Sequence, residues 1–282
     1  VKRTILSVIL LLALGFLLMA DTLVIKGSNT VLPIAQRWVE AFKKYYPDLA
    51  VTLEGAGSST GIKALFNGTA DLANSSRFLK SSEVEKMHAE GKYFTPIVIA
   101  YDGIAVIVNK SLPINDISRE TLKKIYTGKI TTWNQIDPSL PKKRITIYSR
   151  NTASGTFETW ENKVLDKERM APWVQMLEST QAEVEAIKRN PYAIGYVGYG
   201  YVTEDVKVLK VEGVAPSMKT ILSGEYSISR PLFVFVDLSR FGNTWPETNV
   251  VAKFIKFIVS PEGQKLVEDA GYVPAYPTTS SE

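Results

Sequence analysis

Arg150 closes an apolar run, and Ser154-Gly155-Thr156 follows it, opening a stretch in which Phe157 and Trp160 stand at helical spacing. These residue types suit the holding of a negative group. A helix N-terminus presents unpaired N–H groups and a partial positive charge. Ser and Thr hydroxyls add donors that rotate to suit, and glycine lets backbone approach closely. Arg150 adds a permanent charge in a planar fork that matches two oxygens of a tetrahedral anion. The pattern occurs twice more. Ser28-Asn29-Thr30 follows "TLVIKG", and Gly57-Ser58-Ser59-Thr60-Gly61 follows "LAVTLEGA". Taken singly, each turn is an ordinary helix cap or polar turn, and Arg150 is a surface arginine. Three such turns converging with one arginine make an oxyanion site that needs no metal.

Catalysis has less support. Residues 57–61 fit the G-x-S-x-G nucleophile pattern, but the chain has one His and no Cys. His88 lies in the charged stretch "SSEVEKMHAEGK" and is expected on a solvated helix face. No second motif supplies a general base, so no catalytic residue, metal ligand or cofactor is assigned. A secreted hydrolase is the less favoured alternative.

The elements that position these turns alternate. Val31, Ile34, Ala35, Trp38, Val39 and Phe42 follow the 3.6-residue period, with Pro33 in the first helical turn. Ile62, Leu65 and Phe66 predict a short second helix ended near Gly68. A strand over 144–148 leads to Arg150 and the third helix. Strand–turn–helix repeats predict an α/β fold on mainly parallel sheets, with ligands at the carboxyl ends of the strands. "YFTPIVIAYDGIAVIVNK" reads as two apolar runs split by Tyr101-Asp102-Gly103. Ser118 is a predicted N-cap, "NPYAIGYVGYGYV" a strand-and-turn element, and Ser260-Pro261-Glu262 a helix start. The apolar runs near 95–108 and 230–237 are the natural places for the chain to cross between lobes.

The 282 residues carry 33 Lys and Arg against 29 Asp and Glu, a net charge of +4. Lys2 and Arg3, then apolar Ile5 to Met19 and Ala20, read as an export signal over residues 1–20. Removing those two bases and no acid takes +4 to +2, so nucleic acid is not an expected partner. With no Cys, neither a lipid anchor on cysteine nor a disulfide is expected. The expected location is periplasmic or extracytoplasmic.

"GSNTVLPIAQRW", "GAGSSTGIKALFNGTADLANSSR", "YDGIAVIVNK", "IYTGKITTWNQI", "SRNTASGTFETW" and "AIGYVGYGYV" together resemble the PstS phosphate-binding proteins, substrate-binding components of phosphate ABC importers. The resemblance runs from about residue 22 to the C-terminus. It implies a two-lobe periplasmic binding protein fold whose lobes are joined by two crossing strands, with phosphate buried between them. The lobes would be 21–102 plus 231–282, and 103–230. Carried over, the implied ligands are Ser28, Asn29, Thr30, Ser58, Ser76, Arg77, Arg150, Ser154, Gly155 and Thr156. The implied partners are inorganic phosphate and membrane permease subunits, and a monomer is expected. One position departs from the family. An Asp that accepts a hydrogen bond from protonated phosphate is replaced here by Ser76, with Arg77 next to it. Asp71 and Asp102 are other candidate acceptors, though each is more often a structural turn or strand-end Asp. Sulfate, molybdate or tungstate therefore stay open as alternative ligands.

Overall fold

The computed structural model describes residues 22–245 and 248–279. The export signal assigned to 1–20 lies outside the described residues. In chain order, strand β1 (Thr22–Gly27) leads to helix α1 (Leu32–Tyr45), β2 (Ala50–Gly55) to α2 (Ser58–Phe66), and β3 (Leu72–Ser75) to α3 (Ser81–Ala89). The long β4 (Phe94–Asn109) follows, then β5 (Asp116–Ile117) and α4 (Arg119–Tyr126). β6 (Thr146–Arg150), α5 (Gly155–Lys163), β7 (Gln175–Leu177), α6 (Thr180–Arg189) and β8 (Ala193–Gly198) form the next α/β run. β9 (Val206–Val208), β10 (Lys210–Val211), α7 (Met218–Leu222) and β11 (Ser229–Asp237) come next. α8 (Val250–Ile258), α9 (Pro261–Asp269) and β12 (Val273–Pro274) close the described chain.

The main sheet runs β2-β1-β3-β11-β4-β8-β6-β7. β1 pairs in parallel with β2 and β3. β6 pairs in parallel with β7 and β8. Between these two parallel groups lie β11 and β4, antiparallel to each other and to their outer neighbours. β4 belongs to both sides: its first half pairs with β11, and Ile104 to Val108 pair with β8. Tyr101-Asp102-Gly103, expected to split two runs, lies inside one continuous strand. The reason is tertiary. Asp102 stands opposite Arg230 in the ladder, and the ion pair between them lets a carboxylate lie inside a buried strand.

Helix α1 buries the apolar stripe expected of it, including Ile34, Ala35, Trp38 and Phe42. Trp38 also donates its Nε1–H to the Gly263 carbonyl at 2.8 Å, which ties α1 to α9. The core around Leu23, Ile25, Trp38, Ile99, Leu232 and Phe254 is distinct from a second one around Ile104, Tyr126, Trp133, Trp160 and Tyr196. Trp160 stacks on Tyr196 with ring centroids 4.1 Å apart and planes 6° from parallel. Such a pair contributes about 0.5–1.5 kcal/mol beyond its burial and fixes α5 against β8. Thus the aromatic spacing after Ser154 serves the fold, and the turn before it is free to serve a ligand.

Candidate anion site

Each of the three turns follows a parallel strand and opens a helix, and each does so in its own way. At the first, Val31 is the N-cap of α1 and Pro33 lies in the first helical turn. Ser28 does not cap the helix; its Oγ accepts the Thr30 N–H at 3.1 Å within the turn. At the second, Gly57 is the N-cap of α2 with φ 105°, a conformation that favours glycine. Its Cα also faces the Ala153 carbonyl, which an added Cβ would meet at 2.7 Å. At the third, Ser154 caps α5 as its sequence context predicts, accepting from the Thr156 and Phe157 N–H groups at 3.2 and 3.4 Å. Arg150 is the last residue of β6 rather than a residue beyond it.

The turns converge. Thr30 and Thr156 hydroxyls share a hydrogen bond at 2.9 Å, although 126 residues separate them. Ser59 N–H donates to Ala153 O at 3.1 Å, joining the second turn to the third. Ser58 Oγ accepts the Ser76 N–H at 3.0 Å and lies 3.2 Å from Ser76 Oγ. Asn29 Nδ2 donates to Glu178 O at 3.3 Å, and Tyr201 O–H donates to Asn29 O at 2.6 Å. Ser28, Asn29, Thr30, Ser58, Ser76, Ser154 and Thr156 are all buried. A Cβ at Gly155 would lie 2.5 Å from both Ser58 Oγ and Ser76 Oγ. Gly155→Ala is therefore expected to push the second and third turns apart. Its affinity for an oxyanion, measured by calorimetry, should fall at least about tenfold with a stability loss of about 1–3 kcal/mol, the range of overpacking.

Three arginines surround this cluster, and they differ. Arg77 is not available to an anion. Its Nη1 and Nη2 make a two-pronged pair with Glu83 at 2.8 Å each, Nη2 also reaches Ser59 Oγ at 3.0 Å, and Nε lies 3.0 Å from a Glu158 oxygen. Arg77 was among the expected ligands because it or Ser76 stands where the family carries its acceptor Asp. The two glutamates, one of them on α5, take its fork instead.

Arg230 was not singled out from the sequence. It is buried, and its Nη2 donates to Thr156 Oγ1 at 2.9 Å and to Thr30 Oγ1 at 3.4 Å, while Nη1 donates to Ser76 O at 3.3 Å. One guanidinium thus touches the first and third turns and the Ser76 carbonyl just beyond β3. Asp102 Oδ2 accepts its Nε and Nη2 at 3.1 and 2.9 Å, and Asp102 Oδ1 accepts the Tyr199 N–H at 2.9 Å. Burial holds the Asp102 carboxyl above its usual range, against the opposing pull of the Arg230 charge. The available signal for Arg230 was weak: a lone cation at the mouth of the apolar run 230–237. Asp71, by contrast, accepts the Val24 N–H and pairs with Arg240, away from the cluster.

Arg150 is 1% exposed. Its Nη2 donates to Glu178 O at 2.6 Å, Nη1 to Thr180 Oγ1 at 2.6 Å and Nε to Leu177 O at 3.3 Å. Burial pulls its proton affinity down, and the nearby Arg230 charge acts in the same direction. Among the described residues no carboxylate lies within 4.0 Å of it, so it has no ion-pair partner there. Two of its five N–H donors remain for another group. A cleft of about 180 Å³ opens beside the cluster, bordered by Ser76, Arg77, Phe78, Glu158 and Arg230.

The PBP superfamily domain matches residues 19–262. The phosphate-binding protein PstS of Staphylococcus haemolyticus is 33% identical over 257 residues, which is 88% of this chain and 79% of that protein. The chain belongs to the PstS family. A second PstS relative, from Staphylococcus aureus (strain USA300), is 33% identical over 258 residues, 88% of this chain and 77% of its own. Among solved structures, a phosphate ABC transporter substrate-binding protein from Clostridium perfringens, with phosphate bound, superposes with a TM-score of 0.81 at 31% identity, covering 90% of this chain and 100% of that one. An ABC-type phosphate transport receptor from Vibrio cholerae superposes with a TM-score of 0.71 at 28% identity, covering 89% and 99%. PstS proteins are binding proteins, not enzymes. Among the described residues no helix is long and apolar enough to cross a membrane, and no group of three or more His, Asp or Glu could hold a metal ion.

Proposed function

We propose that this chain binds inorganic phosphate between the three turns and hands it to an ABC-type permease in the membrane, with no chemistry on the ligand. One observation carries the reading: Arg150 is a buried guanidinium without an ion-pair partner among the described residues. A buried cation is costly unless an anion compensates it, and the PstS membership names the anion. The ligand set we assign is Ser28, Asn29, Thr30, Ser58, Ser76, Arg150, Ser154, Gly155 and Thr156, with Arg230 added and Arg77 left out. Charge-assisted hydrogen bonds in this dry cluster replace the anion's hydration.

Binding is coupled to closure of two lobes, 21–102 plus 231–282 and 103–230, about a hinge at β4 and the start of β11. The Thr30–Thr156 and Ser59–Ala153 contacts cross between these lobes and belong to the closed form. The protein acts as a monomer outside the cytoplasmic membrane, delivered by the signal at residues 1–20, and needs no cofactor. The test is calorimetric titration with phosphate, repeated with sulfate in large excess. Saturable one-to-one binding of phosphate that survives the sulfate supports the reading. Displacement by sulfate would make this a general oxyanion carrier, and absence of binding to either would overturn the reading.

A further inference from the structure

Glu183 lies one turn into α6, the helix whose first residue, Thr180, holds the Arg150 guanidinium. The Glu183 side chain has no exposure. Its Oε1 accepts the Tyr196 N–H at 2.9 Å, and its Oε2 is buried with no hydrogen-bond partner. Arg150 is the cation that acts on it, yet the two make no ion pair, because Arg150 gives its donors to Leu177 O, Glu178 O and Thr180. A buried carboxyl with an empty oxygen stands next to a buried guanidinium with spare donors.

We propose that Glu183 is a positioning residue of the anion site: it acts through Arg150, and at alkaline pH it takes up a proton when the anion binds. This rests on the anion-binding reading above. The groups that reach Glu183 are few. Arg150 faces it from β6, Tyr196 from β8 and Tyr126 from α4. β4 and β9 meet α6 with Ala105, Ile107 and Val206, which do not titrate. β7 is Gln175-Met176-Leu177 and adds no charge. Burial drives Tyr126 and Tyr196 well above the ordinary phenol range and raises Tyr201, on the turn 199–201 that also packs against α6, so all three stay neutral.

Burial also pushes the Glu183 carboxyl up to about 8, against the opposing pull of the Tyr196 N–H and the Arg150 charge. The sign follows. Near pH 7 Glu183 is mostly neutral, and the Arg150 charge is fully available to an incoming anion. Above pH 8 its carboxylate competes with the anion for the same guanidinium. A dianion placed on Arg150 cancels the charge that had favoured the carboxylate, so the proton affinity of Glu183 rises on binding. Proton uptake and falling affinity are then two readings of one linkage.

The experiment is phosphate calorimetry at pH 8.5 in buffers of different ionisation enthalpy, where phosphate itself is already the dianion. The wild-type protein should take up as much as about three quarters of a proton per phosphate, the fraction of a group with pKa about 8 left unprotonated there. Its affinity should fall by up to about tenfold per pH unit between pH 8.5 and 9.5. Glu183→Gln, which keeps an acceptor for Tyr196 N–H, should bind with no uptake and a flat profile. A purely structural role for Glu183 would move neither reading. Infrared difference spectra of the wild type at pH 8.5 give the same answer without a variant: a protonated-carboxyl band should grow when phosphate is added. Binding without uptake and without that band overturns the proposal, as does equal uptake by Glu183→Gln. Absence of phosphate binding by the wild type overturns the anion-binding reading instead.

Discussion

Arg150→Ala is expected to weaken phosphate binding by about 100-fold to 10⁴-fold while the protein stays folded. The magnitude follows from losing two hydrogen bonds between a charged donor and a charged ligand, each contributing about 1.5–3 kcal/mol, at 1.4 kcal/mol per factor of ten. Stability should change little in the absence of phosphate. The wild-type guanidinium is buried without an ion-pair partner among the described residues, so its removal also removes a desolvation cost. What the fold loses is the donor set for Leu177 O, Glu178 O and Thr180 Oγ1, and water entering the vacated space can serve those acceptors. Calorimetry with phosphate and thermal unfolding without it check the two halves. Undiminished affinity would remove Arg150 from the site.

Arg230→Ala should behave differently, damaging stability as well as binding. Arg230 carries the charge partner of Asp102, whose side chain is wholly buried in the middle of β4. Truncation leaves that carboxylate uncompensated, which costs about 3–5 kcal/mol. In a protein of this size that corresponds to a drop of roughly 6–20 °C in unfolding temperature. Phosphate affinity should fall with it, because Arg230 also holds the Thr30 and Thr156 hydroxyls in one place. The double change Arg230→Met with Asp102→Asn separates the two effects. It removes both charges and keeps an acceptor for the Tyr199 N–H, so the unfolding temperature should recover most of the loss. Binding should stay weak. Equal stability of wild type and Arg230→Ala would show that Asp102 is protonated in the folded protein rather than paired.

The two arginines look alike in the sequence: each sits at the edge of an apolar run. Arg150 could be picked out because Ser154-Gly155-Thr156 follows it on the chain. Arg230 has no such neighbour. Its partners come from residues 30, 76, 102 and 156, and only strand pairing brings β11 beside β4 in the register that sets Arg230 opposite Asp102. The same register explains the misread break in β4: an Asp in an apolar run argues for a turn until its counter-ion is seen. Arg77 failed in the opposite direction. It stands beside Ser76 in the chain, but Glu83 and Glu158 occupy its donors, and Glu158 arrives from a helix that sequence order puts far away.

What the sequence determined by itself is local. Hydrophobic periodicity set α1 and its buried face, Ser154, Ser118 and Ser260 set helix starts, and the strand–turn–helix repeats set the α/β class. Each of these depends on residues within a few positions of one another, where backbone geometry alone ties type to conformation. The tertiary structure decided which charges are already compensated. Whether a buried arginine is a structural partner or waits for a ligand depends on which carboxylate lies within about 4 Å. Chain spacing carries no such information once the partner lies on another strand or helix.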